Sequence, residues 1–288
     1  MKILVLGAAG QVGRAVANAV PAQHAVLAKT RAELDILDES AVTATLAQAR
    51  IDWIINAAAY TAVDRAETER GEALAINDTA VGALARAAAH AGCRLLHLST
   101  DFVFDGQSNR AYLPADATNP LSVYGATKLG GERRVLNEGQ GGVVLRTAWV
   151  YDSAGRNFVL TMLRLMRERP EVRVVCDQIG TPTWASGLAQ AIWGLIGAAP
   201  APGIFHWTDL GLASWYDFAV AIQEEALVRG LLRAAVPIVP IATTAYPTPA
   251  VRPRFSVLNT ESTRALVQVP AHHWRHNLRN MLDELRPA

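Results

Sequence analysis

Ile3-Leu4-Val5-Leu6-Gly7-Ala8-Ala9-Gly10-Gln11-Val12-Gly13 stands at the head of the chain, and its reading decides the fold. Four consecutive apolar residues rich in β-formers read as a strand buried on both faces, as in a parallel sheet. Glycines follow at 7, 10 and 13, and Arg14 to Val20 then carries apolar residues at helical spacing. Strand, glycine turn and helix together suit a pyrophosphate. One glycine turns the chain, one lets the anion approach the backbone, and one packs helix against strand. The spacing is Gly-x-x-Gly-x-x-Gly rather than the Gly-x-Gly-x-x-Gly of classical dehydrogenases, and a purely structural turn is the competing reading.

Working outward, Ala25 to Ala28 is a weak second strand, and Leu34 to Asp38 precedes a helix through about Arg50. Trp53-Ile54-Ile55-Asn56 is another buried strand. An alanine-rich helix over 77–91 leads into a strand over 95–98, and Tyr124 to about Glu138 is helical, closed by Gly139 to Gly142. Val143 to Arg146 and Val172 to Val175 read as strands. Such alternation predicts right-handed βαβ crossovers and a doubly wound, Rossmann-type parallel sheet. Residues 1–150 read as the nucleotide-binding domain, with strands near 172–175 and 203–206 added to its sheet. Residues 151–288 read mainly as a substrate-binding region over the strands' C-terminal edge. Helices are expected over 158–169, 186–196, 215–230 and 273–285, and the proline-rich stretch 237–253 as loop and extended chain.

Apolar residues make up 51% and charged residues 18% of the 288, enough for a sizeable core, and the net charge of +1 gives no electrostatic case for nucleic acid or an anionic membrane. No window approaches the ~20 apolar residues of a membrane span. The N-terminal apolar run is too short for a signal peptide, so a reducing cytoplasm is expected. Cys93 and Cys176 stand far apart and outside metal-ligand spacing, which predicts two buried structural thiols.

The chemistry concentrates in two later stretches. Leu95-Leu96-His97-Leu98-Ser99-Thr100-Asp101-Phe102 is an apolar run that ends in two hydroxyls and a carboxylate. Tyr124-Gly125-Ala126-Thr127-Lys128 puts a phenol and an ammonium on one helical face. By spacing alone this is a common surface pair. Beside the hydroxyls it becomes a site in which a carbonyl is polarised and protonated while a nicotinamide delivers hydride. The second strand ends Ala28-Lys29-Thr30-Arg31, with no carboxylate until Glu33. Lys29 or Arg31 could therefore meet a ribose 2′-phosphate, favouring NADPH at least as much as NADH, or both could be solvated loop residues.

With these residues in view, the chain resembles the extended short-chain dehydrogenase/reductases and, among them, the dTDP-4-dehydrorhamnose reductases. The likeness runs nearly end to end. It rests on the glycine turn, Asn56-Ala57-Ala58-Ala59-Tyr60-Thr61-Ala62-Val63-Asp64, Ser99 to Gly106, Tyr124 to Lys128 and Arg146-Thr147-Ala148-Trp149-Val150-Tyr151. Asp177 to Thr183 and Thr243 to Pro253 complete it. The resemblance implies Thr100, Tyr124 and Lys128 as the catalytic triad: Tyr124 the proton donor to a C4 oxygen, Lys128 the holder of the nicotinamide ribose and depressor of the phenol pKa, and Thr100 the orienter of the carbonyl. It implies a cofactor site of Gly7, Gly10, Gln11, Val12, Gly13, Arg31, Asp35, Ile36, Ala57, Ala58, Ala59 and Tyr60, shared with Tyr124 and Lys128. Asp101 and Trp149 would join Thr100 at the sugar, Trp149 being otherwise a core aromatic. Arg252 is open between the substrate diphosphate and a loop salt bridge.

Related dehydratases carry Thr-Asp-Glu at the strand end, because eliminating water needs a further acid and base. Phe102 cannot transfer a proton, so the resemblance implies simple reduction of a nucleotide-sugar ketone for surface polysaccharide. Two other readings stay open: reduction of a different 4-keto nucleotide sugar, and a non-catalytic regulatory subunit of the same fold, which an intact triad disfavours. Some family members are described as dimers joined through magnesium held by glutamates. The corresponding positions here include Ala15 and Ser186, leaving only Glu284. The expectation is therefore no metal, and a monomer or a metal-independent homodimer.

Overall fold

The computed structural model describes residues 1–139 and 142–286, so positions 140 and 141 of the expected 139–142 terminator lie outside the described residues. β1 (Lys2–Leu6), β2 (Ala25–Lys29), β3 (Trp53–Asn56), β4 (Arg94–Thr100) and β5 (Val143–Thr147) form one parallel sheet, joined by a last strand, Gly203–His206. Its order is β2-β1-β3-β4-β5 followed by Gly203–His206. The chain reverses direction across β1, so a crevice opens between the ends of β1 and β3, where doubly wound sheets bind ligands. Alternate residues supply the two faces. Leu4, Leu6, Ile54, Leu95 and Val144 pack into one core, while Ile3, Val5, Ile55, Leu96 and Leu145 pack into the other. This is why the strands read as continuous apolar runs.

The glycine turn is shaped by close approach. A Cβ on Gly13, in helix α1 (Gln11–Asn18), would lie 2.2 Å from the Gly7 carbonyl oxygen. Any side chain there would push α1 off the end of β1.

One expected strand sits elsewhere. Val172–Val175 does not join the main sheet but pairs in parallel with Ile238–Ile241. Its own pattern carries the reason: Val172 and Val174 are buried and Arg173 is exposed, a strand with one wet face, unsuited to a doubly covered sheet. Pro240 is tolerated in its partner because that strand pairs on one side only. Gly203–His206 does take its expected place. The thiols also divide: Cys93 is buried, but Cys176, just beyond the small sheet, is exposed.

A third core, of Tyr151, Leu163, Phe218, Trp274, Leu278 and their neighbours, holds the later helices together. Among the described residues, no helix is long and apolar enough to cross a membrane.

Under the end of β4 lies a buried ion pair. Arg146 of β5 clasps Glu132 of the Val123–Glu138 helix with two parallel bonds of 2.8 and 2.6 Å, and both side chains are 2% exposed. The Ser99 hydroxyl also donates to Glu132, and His206 and the Phe104 ring flank the guanidinium. Removing one partner strands a charge where water cannot reach it, whereas removing both need not. Arg146→Met should therefore cost about 3–5 kcal/mol in urea unfolding. The double variant Glu132→Leu/Arg146→Met should recover a large part, and equal losses in the two proteins would contradict this account.

Candidate active site

β4 and the Val123–Glu138 helix together build the site. Ser122 caps the helix, its hydroxyl accepting from the Gly125 amide at 3.2 Å. Gly125 lets the first turn lie against the strand end, since a Cβ there would be 2.3 Å from the Phe102 carbonyl oxygen. Tyr124, Lys128 and Glu132 follow at intervals of four along the helix.

Thr100 ends β4 with its hydroxyl donating to Asp101 Oδ1 at 3.0 Å and accepting from the Phe102 amide at 3.2 Å. Tyr124 is half-buried, its ring packed edge-on against Phe102. Burial pushes the phenol up to about 12; the hydrogen bond with Thr100 offsets part of this, and the Asp101 charge adds to it. The expected depression by Lys128 is not realised. Lys128 is buried and turned toward β4, its Nζ donating to the Leu98 carbonyl at 2.7 Å and lying 3.2 Å from His97 Nε2. Burial lowers the lysine to about 8, against the favourable charge of Glu132.

Asp101 is 1% exposed, and among the described residues its Oδ2 has no hydrogen-bond partner of good geometry, although the Ser256 hydroxyl lies close enough to favour the carboxylate. An orphaned buried oxygen beside Thr100 suits a hydroxyl donor on a ligand. Trp149 follows β5 at a φ of 49° and stacks on Trp215, with ring centroids 3.5 Å apart. Trp215, with Phe158, Val174 and Gln178, walls a cleft of about 610 Å³. This cleft is lined by none of Thr100, Tyr124 and Lys128; Trp215 on its wall carries Trp149 stacked against it. Arg252 lies on its wall, but its guanidinium is taken up by Asp64 at 3.0 and 2.8 Å and by Thr248, so the loop salt bridge is the contact formed.

The cofactor expectations largely converge. Gly7, Gly10, Arg31, Asp35, Ile36, Ala57, Ala58 and Ala59 line one cavity of about 220 Å³ in the β1/β3 crevice, joined by Ala9, Leu34 and Ile76. The first turn of α1 carries no acidic residue and no side-chain cap, leaving its amides for an anion. Gln11 bonds instead to Arg156 and Asn157, tying the turn to the C-terminal half. Val12 packs on the core, and Gly13 abuts Gly7. Tyr60 does not line the cavity; its phenol donates to Glu69. Arg31 is 67% exposed and shares one bond of 3.1 Å with Asp35, while Glu33 is held by the Thr30 amide and hydroxyl. No cluster of three His, Cys, Asp or Glu suited to a metal occurs among the described residues.

The sequence reading assigned no role to Asn56, Asn77, His97 or Glu132, all of them buried polar residues around the triad. Their signal was the polar residue inside an otherwise apolar strand or helix face, which needs a partner to be buried at all.

A family model described as RmlD substrate binding domain matches residues 1–287. A dTDP-4-dehydrorhamnose reductase of Burkholderia thailandensis is 41% identical, over 96% of this chain and 96% of its own. A crystal structure of a dTDP-4-dehydrorhamnose reductase from Clostridium acetobutylicum superposes with a TM-score of 0.93 at 37% identity, covering 99% of each chain. That of the Bacillus anthracis reductase, in complex with NADP, gives 0.93 at 32% identity over 98% of this chain and 99% of its own.

Burial holds the Asp101 carboxyl at about 6. An acid bound to its proton more tightly in the fold than in the unfolded chain stabilises the fold below about pH 4, and that contribution is lost as pH rises through about 6. Asp101→Asn should therefore be more stable than the parent by on the order of 1–3 kcal/mol above about pH 6, with the gap closing below about pH 4. A pH-independent gap in thermal unfolding would contradict this.

Proposed function

The chain belongs to the RmlD substrate-binding-domain family, and from that premise we propose that it reduces the C4 ketone of dTDP-4-dehydro-β-L-rhamnose to give dTDP-β-L-rhamnose, with NADPH or NADH as hydride donor. The observation that carries the proposal is the end of β4, where Thr100, Asp101 and Tyr124 stand together with Phe102 in place of a second acid. A site so furnished can polarise and protonate a carbonyl but has no additional acid and base for elimination.

When bound, the reduced nicotinamide supplies the hydride. The β1/β3 cavity suits one part of the dinucleotide, its pyrophosphate and a ribose: a glycine turn without side chains, an α1 first turn with no acid or side-chain cap, and Asp35 and Arg31 on the wall. Asp35 can accept from a ribose hydroxyl, and Arg31, fastened by one bond only, has donors left for a 2′-phosphate. Tyr124, kept protonated by burial, gives its phenolic proton to the C4 oxygen, and Thr100, its one hydroxyl hydrogen turned from Asp101 Oδ1, donates to the same oxygen. Asp101 Oδ2 accepts from a sugar hydroxyl, and Trp149 with Trp215 flanks the sugar at the mouth of the large cleft. In this division of labour residues 1–150 hold the cofactor and 151–288 mainly the nucleotide sugar. The reading places the enzyme in the cytoplasm.

The decisive experiment is enzymatic synthesis of the 4-keto sugar nucleotide in place, followed by NADPH or NADH oxidation on adding this protein. NADPH should be oxidised at least as fast as NADH. Tyr124→Phe should lose about 10²-fold or more of the turnover while still binding NADPH by fluorescence; full activity in that variant would remove the phenol from the mechanism.

Ala15 and Ser186 leave no carboxylate at two of the three dimer-metal positions suggested by the resemblance, so we take the molecule to be a monomer or a metal-independent dimer. Light scattering should give one mass with and without a chelator, and dissociation on chelation would refute this.

A further inference from the structure

Behind the triad, and used in none of the steps above, lies His97. The register of β3 on β4 sets it directly beside Asn56, and both are fully buried. Two contacts fix the ring: Asn56 Nδ2 lies 3.1 Å from Nδ1, and Lys128 Nζ lies 3.2 Å from Nε2. The direction of each can be worked out from the Asn56 end. Asn56 Oδ1 accepts from the Ala58 amide at 3.1 Å, so the end of the side chain facing the ring is its NH₂, which only donates. Nδ1 must then accept. The ring itself is neutral, because burial alone, away from any water, holds it well below its ordinary value. A neutral imidazole with Nδ1 as acceptor carries its hydrogen on Nε2 and points it at Nζ. Only an amine nitrogen can accept it.

We propose that His97 is a positioning residue that holds Lys128 as a neutral amine turned onto the Leu98 carbonyl, through an Nε2–H···Nζ hydrogen bond whose direction Asn56 sets. That Lys128 belongs to a reductase site rests on the functional reading above; its protonation state rests on the chain's own contacts. The reverse arrangement, an ammonium donating to Nε2, would put the ring hydrogen on Nδ1 against the Asn56 NH₂, two donors facing each other away from water. From the helix, the charged neighbour is Glu132, which favours the ammonium but is itself committed to Arg146 of β5. β3 presents the uncharged Asn56, and β4 the Leu98 carbonyl and His97. Burial alone already brings Lys128 to about 8, and an imidazole N–H aimed at its lone pair lowers it further.

The sequence makes the test clean, because Lys2, Lys29 and Lys128 are its only lysines. Lysine labelled with ¹³C at Cε gives three resonances, assigned with Lys128→Met. Lys128 should titrate below the other two and below about pH 8, and His97→Gln, whose amide oxygen can accept from an ammonium, should raise its proton affinity roughly tenfold or more. A Lys128 that titrates with Lys2 and Lys29, or one unmoved in a folded His97→Gln, would overturn the proposal. The unchanged protein gives a second reading should that variant not fold. Long-range ¹H–¹⁵N ring correlations should show His97 as the Nε2–H tautomer, and an Nδ1–H ring would overturn the proposal equally. Neither measurement involves substrate. Failure of NADPH oxidation in the coupled assay would therefore count against the reductase reading and leave these results untouched.

Discussion

The clasp of Arg146 on Glu132 is the contact on which the rest of the site depends. It joins β5 to the one helix that carries the phenol and the amine, at a position one turn beyond Lys128 and two turns beyond Tyr124 on the same face. The register of β4 on β5 sets Ser99 opposite Arg146 and Thr100 opposite Thr147, so the pair also fixes the height at which the strand's hydroxyls emerge. Two charges held out of water offer little net stability over apolar substitutes, but they have one satisfactory geometry. A core of leucines in their place would let the helix slide by tenths of an ångström, and a hydride-transfer site tolerates little of that.

Around this fixed point the molecule separates two demands. The dinucleotide cavity is made of backbone and small side chains, Gly7, Gly10 and Ala57 to Ala59, whose contribution is the absence of bulk. The larger cleft is walled by side chains from beyond residue 150, apolar ones such as Phe158 and Trp215 and charged ones such as Arg169 and Arg173. Asp101 stands just beyond the end of β4, with a buried oxygen left without a hydrogen bond of good geometry among the described residues.

How much of this could be read from the sequence differs by element. The glycine turn, the five parallel strands and the position of Gly203–His206 follow from local pattern, because a strand covered on both faces leaves a continuous apolar run. Val172–Val175 was misplaced because alternation over four residues is too short to outweigh β-propensity, and its true partner lies beyond 60 residues of intervening chain. Thr100, Tyr124 and Lys128 were legible as a motif, yet the direction of the Lys128 side chain was not. It is set by Leu98 and His97 on the facing strand, and sequence spacing reports which face a residue occupies, not what it bonds to there. Arg252 shows the same gap: the sequence left it open between the substrate diphosphate and a loop salt bridge, and its engagement by Asp64, 188 positions away, depends on tertiary pairing.

The Trp149–Trp215 stack has a consequence for how this molecule can be watched. Its planes lie within 5° of parallel, and the two rings come from opposite sides of the boundary between the sheet and the later helices. Trp149 reaches it only through a left-handed backbone, so the contact is held by structure on both sides. Indoles this close couple their strong far-ultraviolet transitions, so the stack should contribute a circular-dichroism signal that is lost when the rings separate. The protein thus carries an optical gauge of the distance between its halves, read without any label.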